Sequence, residues 1–213
     1  MAKRAFIVVL VLLRLGMAGL FASQLTWKVP PHFGCPAGDF VFTSAGADGT
    51  LHRSTGLCDW IGIESVFSHR DRKFFGRDTD GDGLADSGLP LGPLVKMNGW
   101  FVDHVVEPNF GVFGWLIFLT ETLIVLSLGL GLLSRFGAAV AVALSVQLTL
   151  GVAGVADRAT GLDEGELLYW TMIAVSALLA IRPAGRWFGL DKRLRSKFLG
   201  ADGWRGRLVR LGT

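Results

Sequence analysis

The sequence predicts an all-α membrane protein, a four-transmembrane-helix bundle with a disulfide- and calcium-braced extracytoplasmic insert between helices 1 and 2. Three observations predict it. Of the 213 residues, 51% are apolar and only 18% are charged, which argues against a disordered chain and against an ordinary soluble domain. The apolar residues gather into four runs, 5–25, 110–133, 136–155 and 167–181, almost free of charge, as segments that cross a bilayer are. The polar remainder is of unequal sign. Residues 182–213 hold nine basic and two acidic side chains, Lys3 and Arg4 precede the first run, and Arg135 sits between the second and third. Residues 26–108 hold seven basic and eleven acidic side chains, and residues 156–166 hold one and four. The net charge of +3 is therefore a difference between one face near +10 and another near −7.

In chain order, residues 1–25 are the first helix, and Lys3 and Arg4 form the flank that the positive-inside rule assigns to the cytoplasm. A cleaved signal peptide over residues 1–22 is the rival reading, but Arg14 interrupts what would be its apolar core. Residues 26–108 then form the extracytoplasmic insert, residues 109–181 carry helices 2 to 4, and residues 182–213 form a cytoplasmic tail. Both termini are cytoplasmic in this reading. The tight Ser134-Arg135-Phe136 turn makes spans two and three an antiparallel hairpin. Gly129, Gly131, Gly137, Ala138, Ala139, Ala141 and Ala143 give that hairpin small residues, which let helix backbones approach closely in lipid.

In the insert, Cys35 and Cys58 are the only cysteines, and an oxidising compartment makes a disulfide the default. The motif Asp78-Thr79-Asp80-Gly81-Asp82-Gly83-Leu84-Ala85-Asp86 places carboxylates at alternate positions. Wrapped around a hard cation, Asp78, Asp80, Asp82 and Asp86 turn inward, Gly83 permits the sharp turn and the Leu84 carbonyl adds an oxygen, which is calcium chemistry. The loop resembles those of EF-hands, dockerins and thrombospondin-type repeats, except that Leu89 stands where a bidentate Glu would be. Residues 39–43 and 50–53, separated by a Gly-rich turn, read as a short hairpin. His32, His52, His69 and His104 have no tight metal-ligand spacing with one another or with a Cys, which favours solvated or hydrogen-bonded histidines. No nucleophile elbow, Walker loop or dinucleotide fingerprint is present, so the sequence offers no soluble catalytic domain.

Arg14 and Glu121 lie near the middle of the first and second spans. A midplane charge costs roughly 2.5 to 3.5 kcal/mol on insertion scales, so each is expected to face the bundle interior and find a partner. An Arg14–Glu121 ion pair or network, joined by Thr120, Thr122 or Gln147, is the expectation. It serves either as a clasp that fixes helix register or as a polar lining for a proton path or a quinone head group. Tyr169 and Trp170 at the start of the fourth span read as an aromatic belt. From residue 182 onward, basic residues alternate with Trp187, Phe188, Leu190, Leu194, Phe198, Trp204 and Leu208, several of them three or four apart. That is an amphipathic anchor for anionic lipid, and its adjacency to a span disfavours nucleic acid as the partner.

Residues 13–21 around Arg14, Glu121 with 128–138, and 184–191 after the last span together resemble the DoxX/DoxD family. The resemblance covers the spans and the start of the tail, on short and mostly apolar motifs; the long insert departs from the compact first loop of simple members. It implies a small four-helix membrane protein, and one branch resembles the membrane subunit of thiosulfate:quinone oxidoreductase. Carried over by position, the matching residues are Arg14, Glu121, Arg135 and Asp191. The expectation is thus an integral membrane subunit of a quinone-linked redox system, with a protein partner docked through the insert. The alternative is a non-catalytic assembly subunit of a larger respiratory or photosynthetic complex. A transporter is disfavoured, because the spans offer no discontinuous helix or repeat.

Overall fold

A computed structural model describes residues 2–35, 40, 42, 56–69, 73–75, 87–90, 92–152, 164–182, 185, 187 and 189–193. The elements are α1 (Ala2–Leu25), α2 (Leu57–Ser68), β1 (Lys73–Phe74), β2 (Leu89–Pro90), α3 (Gly92–Phe101), α4 (Phe110–Leu130), α5 (Ser134–Val152) and α6 (Glu164–Ile181). A π-helical turn, Val102–Val106, and a 3-10 turn, Glu107–Asn109, join α3 to α4. Three helical stretches are long and apolar enough to cross a membrane: Arg4–Leu25, Gly92–Leu130 and Ser134–Gly151. Where the sequence predicts a fourth span, Leu167–Ile181 is a shorter apolar helix that falls below the length of the other three.

The burial pattern along these helices explains why they suit lipid. In α1 the buried stripe is Leu10, Arg14, Met17, Ala18 and Phe21, spaced by three and four, while Phe6, Val8, Val9, Leu12 and Leu15 are exposed. In α4, Glu121, Ile124, Ser127 and Leu128 are buried and Leu116, Leu119, Leu123 and Leu126 are exposed. Ser145 and Thr149 of α5 and Ser176 of α6 are likewise buried. The polar side chains lie inside among apolar ones, and the exposed faces are aliphatic, the arrangement expected where the solvent is hydrocarbon.

Two compact units make up the chain. The first holds α1 with Met1–Thr26, the halves of α4 and α5 within Leu119–Leu144, and Thr171–Thr213. Its helices meet at small residues. A side chain built on Gly129 of α4 would touch Ala18 of α1 at 3.9 Å, one on Gly137 of α5 would collide with Ser127 of α4, and Ala138 and Ala141 are fully buried. The expected role of the small residues is seen at these contacts.

The second unit comprises Trp27–Phe118 and Ser145–Trp170. One core in it gathers Phe33, Cys35, Leu57, Cys58, Ile61, Val102, Val106 and Phe110. The Cys35–Cys58 disulfide forms as expected, with the Cα atoms 5.4 Å apart, and lies inside this core. Phe33, held at φ +54° and 1% exposed, meets Phe110 and Trp115 edge-on and fills the space that Gly114 leaves on α4. Lys73 pairs with Pro90 and Phe74 with Leu89 in a minimal antiparallel ribbon. Phe74 of that ribbon packs against Val95, Leu150 and Trp170.

The insert is therefore more helical than its sequence suggests, since α2 and α3 both fall within it. The expected hairpin is mostly outside the described residues. Its described members, Phe40 and Phe42, are not in a strand; both rings meet Phe110, as side chains two residues apart on one face would. Trp170 does not merely mark an interface, because it stacks on Phe75 and meets Phe74 edge-on. The calcium motif, Asp78, Asp80, Asp82, Leu84 and Asp86, and the tail beyond residue 193 lie outside the described residues.

Candidate functional site

The densest polar arrangement among the described residues is at the α4–α5 turn, in the first unit. Helix α4 ends where Gly131 takes φ +62°, and the Leu132 N–H donates back to the Ser127 carbonyl at 2.9 Å, the bond pattern of a Schellman cap. The Ser127 hydroxyl donates to the Leu132 carbonyl at 2.7 Å. Leu133 follows at φ +51°, a left-handed conformation that costs a non-glycine residue roughly 1 to 2 kcal/mol. What holds it is the tail. The Leu190 and Asp191 N–H groups donate to the Leu130 and Gly131 carbonyls at 3.1 and 2.8 Å. The Asp191 carboxylate, with no exposed surface, accepts from the Leu133 N–H at 2.6 Å and from the Ser134 N–H and hydroxyl at 3.0 and 2.5 Å. It is an N-cap for α5 supplied from the far end of the chain, and it faces the positive end of that helix. Arg135, one residue on, donates from Nε to the Ala180 carbonyl at 2.9 Å and so satisfies an end group of α6.

Arg14 reaches this turn from α1. Its guanidinium lies against Gly131 and Gly189, where a methyl group on Gly131 would collide with Nη1 and one on Gly189 would stand 3.0 Å from it, and it interacts electrostatically with Asp191. It is 4% exposed, and its Nε and Nη1 have no hydrogen-bond partner. Glu121, 1% exposed, lies on the same buried stripe of α4 but ten residues before Gly131, about 15 Å along a helix axis. The guanidinium thus sits too far along α4 for the expected direct pair with Glu121. Arginine's length carries its charge to the helix end instead, where Asp191 lies. Gln147 belongs to the other unit, where its Nε2 donates to Asn98 Oδ1 at 2.6 Å.

A second polar group lies in the second unit where α2 meets the π-helical turn. Asp103 accepts from the Ser65 hydroxyl at 2.6 Å and pairs with His69 Nε2 at 2.8 Å. The three residue types are those of a hydrolytic triad, but the order of contacts is wrong for one. The single hydroxyl proton of Ser65 is committed to the carboxylate, whereas an activated nucleophile gives its proton to the histidine. His104 bonds the Trp100 carbonyl through Nδ1 at 3.0 Å and stacks on that ring. Among the described residues no three His, Cys, Asp or Glu side chains gather to hold a metal. The acidic motif at 78–86 is not among them, although the residues flanking it are joined by the β1–β2 pairing.

The sequence picks out Arg14, Glu121, Gln147, Arg135 and Asp191, and the structure brings Arg14, Arg135 and Asp191 to the two ends of adjoining helices. Ser127, Ser134 and Asn98 escape a reading by charge, because serine and asparagine are unremarkable in sequence; Ser134 at a helix start carries the one recognisable signal, a capping residue type. No family model, curated protein or solved structure matches the chain.

Proposed function

We propose that the protein is a four-span, DoxX-like integral membrane subunit of a quinone-linked redox system, with both termini cytoplasmic and residues 26–108 on the opposite face. The observation that carries the reading is the buried guanidinium of Arg14, whose Nε and Nη1 are left without acceptors. Two such donors fit a quinone carbonyl, because an unfilled charged donor in a dry site gains more from an acceptor than the same group in water. Glu121 extends the polar lining along α4. The redox cofactor chemistry belongs to a partner subunit, since the chain carries no recognised cofactor motif.

Purification from native membranes in mild detergent, followed by quinone extraction and mass spectrometry, tests this. Near-stoichiometric quinone in the wild-type protein that is lost in a folded Arg14→Gln variant supports the reading. Quinone only at the level of bulk lipid, unchanged by the substitution, refutes it. The second reading, an assembly subunit, draws on Asp191 and Arg135, whose contacts fasten helix ends. Recovery of a stoichiometric larger complex with no bound quinone favours it.

A further inference from the structure

Helix α3 is inside out. Its buried positions are Val95, Asn98 and Gly99, while Leu94, Met97 and Trp100 are more than half exposed and Phe101 is 37% exposed. A helix facing water places these residues the other way round. The helical stretch that contains it, Gly92–Leu130, has 39 residues and would be about 58 Å long if straight, nearly twice a hydrocarbon core of about 30 Å. It cannot be one simple span. The π-helical and 3-10 turns at 102–109, with Pro108 among them, break it between α3 and α4.

The contacts of α3 fix its level. Asn98 is hydrogen-bonded to Gln147, which lies four residues, about 6 Å, inside the end of the candidate span Ser134–Gly151. Val95 packs in one cluster with Leu150 and with Trp170, the latter three residues inside Leu167–Ile181. Interfacial helices settle about 5 to 10 Å into the boundary between head groups and acyl chains, with Trp, Phe and Leu inward and Lys reaching out to phosphate. Here Trp100, Leu94, Met97 and Phe101 supply the apolar face and exposed Lys96 the basic one.

We propose that α3 is an interfacial helix, and that its Leu94, Met97, Trp100 and Phe101 face is covered by the acyl chains and glycerol region of the extracytoplasmic leaflet. The insert is then docked into the bilayer rather than held above it. The proposal rests on α5 being a span, not on quinone binding.

Spin labels test it in the full chain, because the two native cysteines are tied to each other and an introduced cysteine is labelled alone. Met97→Cys, Leu94→Cys, Val146→Cys and Ser87→Cys variants are reconstituted in vesicles of phosphatidylcholine and phosphatidylglycerol. Collision rates with oxygen, which partitions into lipid, are compared with those of a water-soluble nickel chelate. The expected result is an oxygen-to-nickel ratio at 94 and 97 that approaches the ratio at Val146, exposed on α5, and exceeds the ratio at Ser87 several-fold. A nickel-dominated signal at 94 and 97 beside an oxygen-dominated one at 146 overturns the proposal and leaves the span intact. Low collision with both reagents, together with dipolar broadening, also overturns it and assigns the face to a second copy. A nickel-dominated signal at 146 removes the span and the proposal together.

Discussion

A carboxylate with three hydrogen bonds and no exposed surface leaves three orphaned donors when it is removed. Asp191→Ala is therefore expected to lose about 3 kcal/mol, the order set by a lost helix cap plus buried unsatisfied N–H groups. Ser134→Ala, which removes one of the three bonds, is expected to lose about a third of that, and melting in detergent compares the two. A different kind of test is available at Glu107, in the turn that precedes α4. Partial burial, and then the neighbouring Asp103 charge, push its carboxyl up from the ordinary 4.5. A raised acid contributes its stability below the unfolded value and loses it as pH rises through the folded one. Glu107→Gln is thus expected to melt above the wild type at pH 7, with the gap narrowing as pH falls through the raised folded value and gone once pH is below 4.5. At this scale the sequence is legible for charge and illegible for pairing. Arg14 and Asp191 stand out one by one, but nothing local says that a residue of the first helix and one of the tail meet over Gly131.

Among the elements, the membrane helices are legible because their apolar runs are long, whereas α2 and α3 are not. The buried positions of α2 mix Leu57, Cys58, Ile61 and Ile63 with Gly62, Glu64 and Ser68, and those of α3 are Val95, Asn98 and Gly99, so the apolar stripe of α2 is interrupted and that of α3 is reduced to one residue. Close approach at small residues adds to the apolar contacts there. A side chain on Gly99 would collide with Ser68, and one on Gly151 with Glu64. The disulfide was legible from compartment and count, and its position explains its use, since it ties the chain after Phe33 to the first turn of α2. A Cys35→Ser, Cys58→Ser double variant is expected to lose about 3 kcal/mol in the chain-entropy account, for a bridge between residues 23 apart. Reductant should lower the wild-type midpoint to that of the variant and leave the variant unmoved.

For the whole molecule, the asymmetry of charge predicts orientation. A membrane-impermeant maleimide added to intact cells is expected to label Ser87→Cys, and to label Lys192→Cys only after lysis; the opposite pattern reverses the topology. The acidic motif at 78–86 predicts that millimolar calcium raises the melting midpoint and that EGTA reverses the rise, whereas indifference to both removes calcium from the account. The cap on α5 has a consequence of another kind. Ser134 and Asp191 are 57 residues apart, so the start of α5 leaves the ribosome well before the side chain that caps it. At roughly 5 to 20 residues per second the interval is about 3 to 11 s. During it the α4–α5 turn waits half-built, with the left-handed Leu133 unsupported, and the hairpin closes only when α6 has already been made.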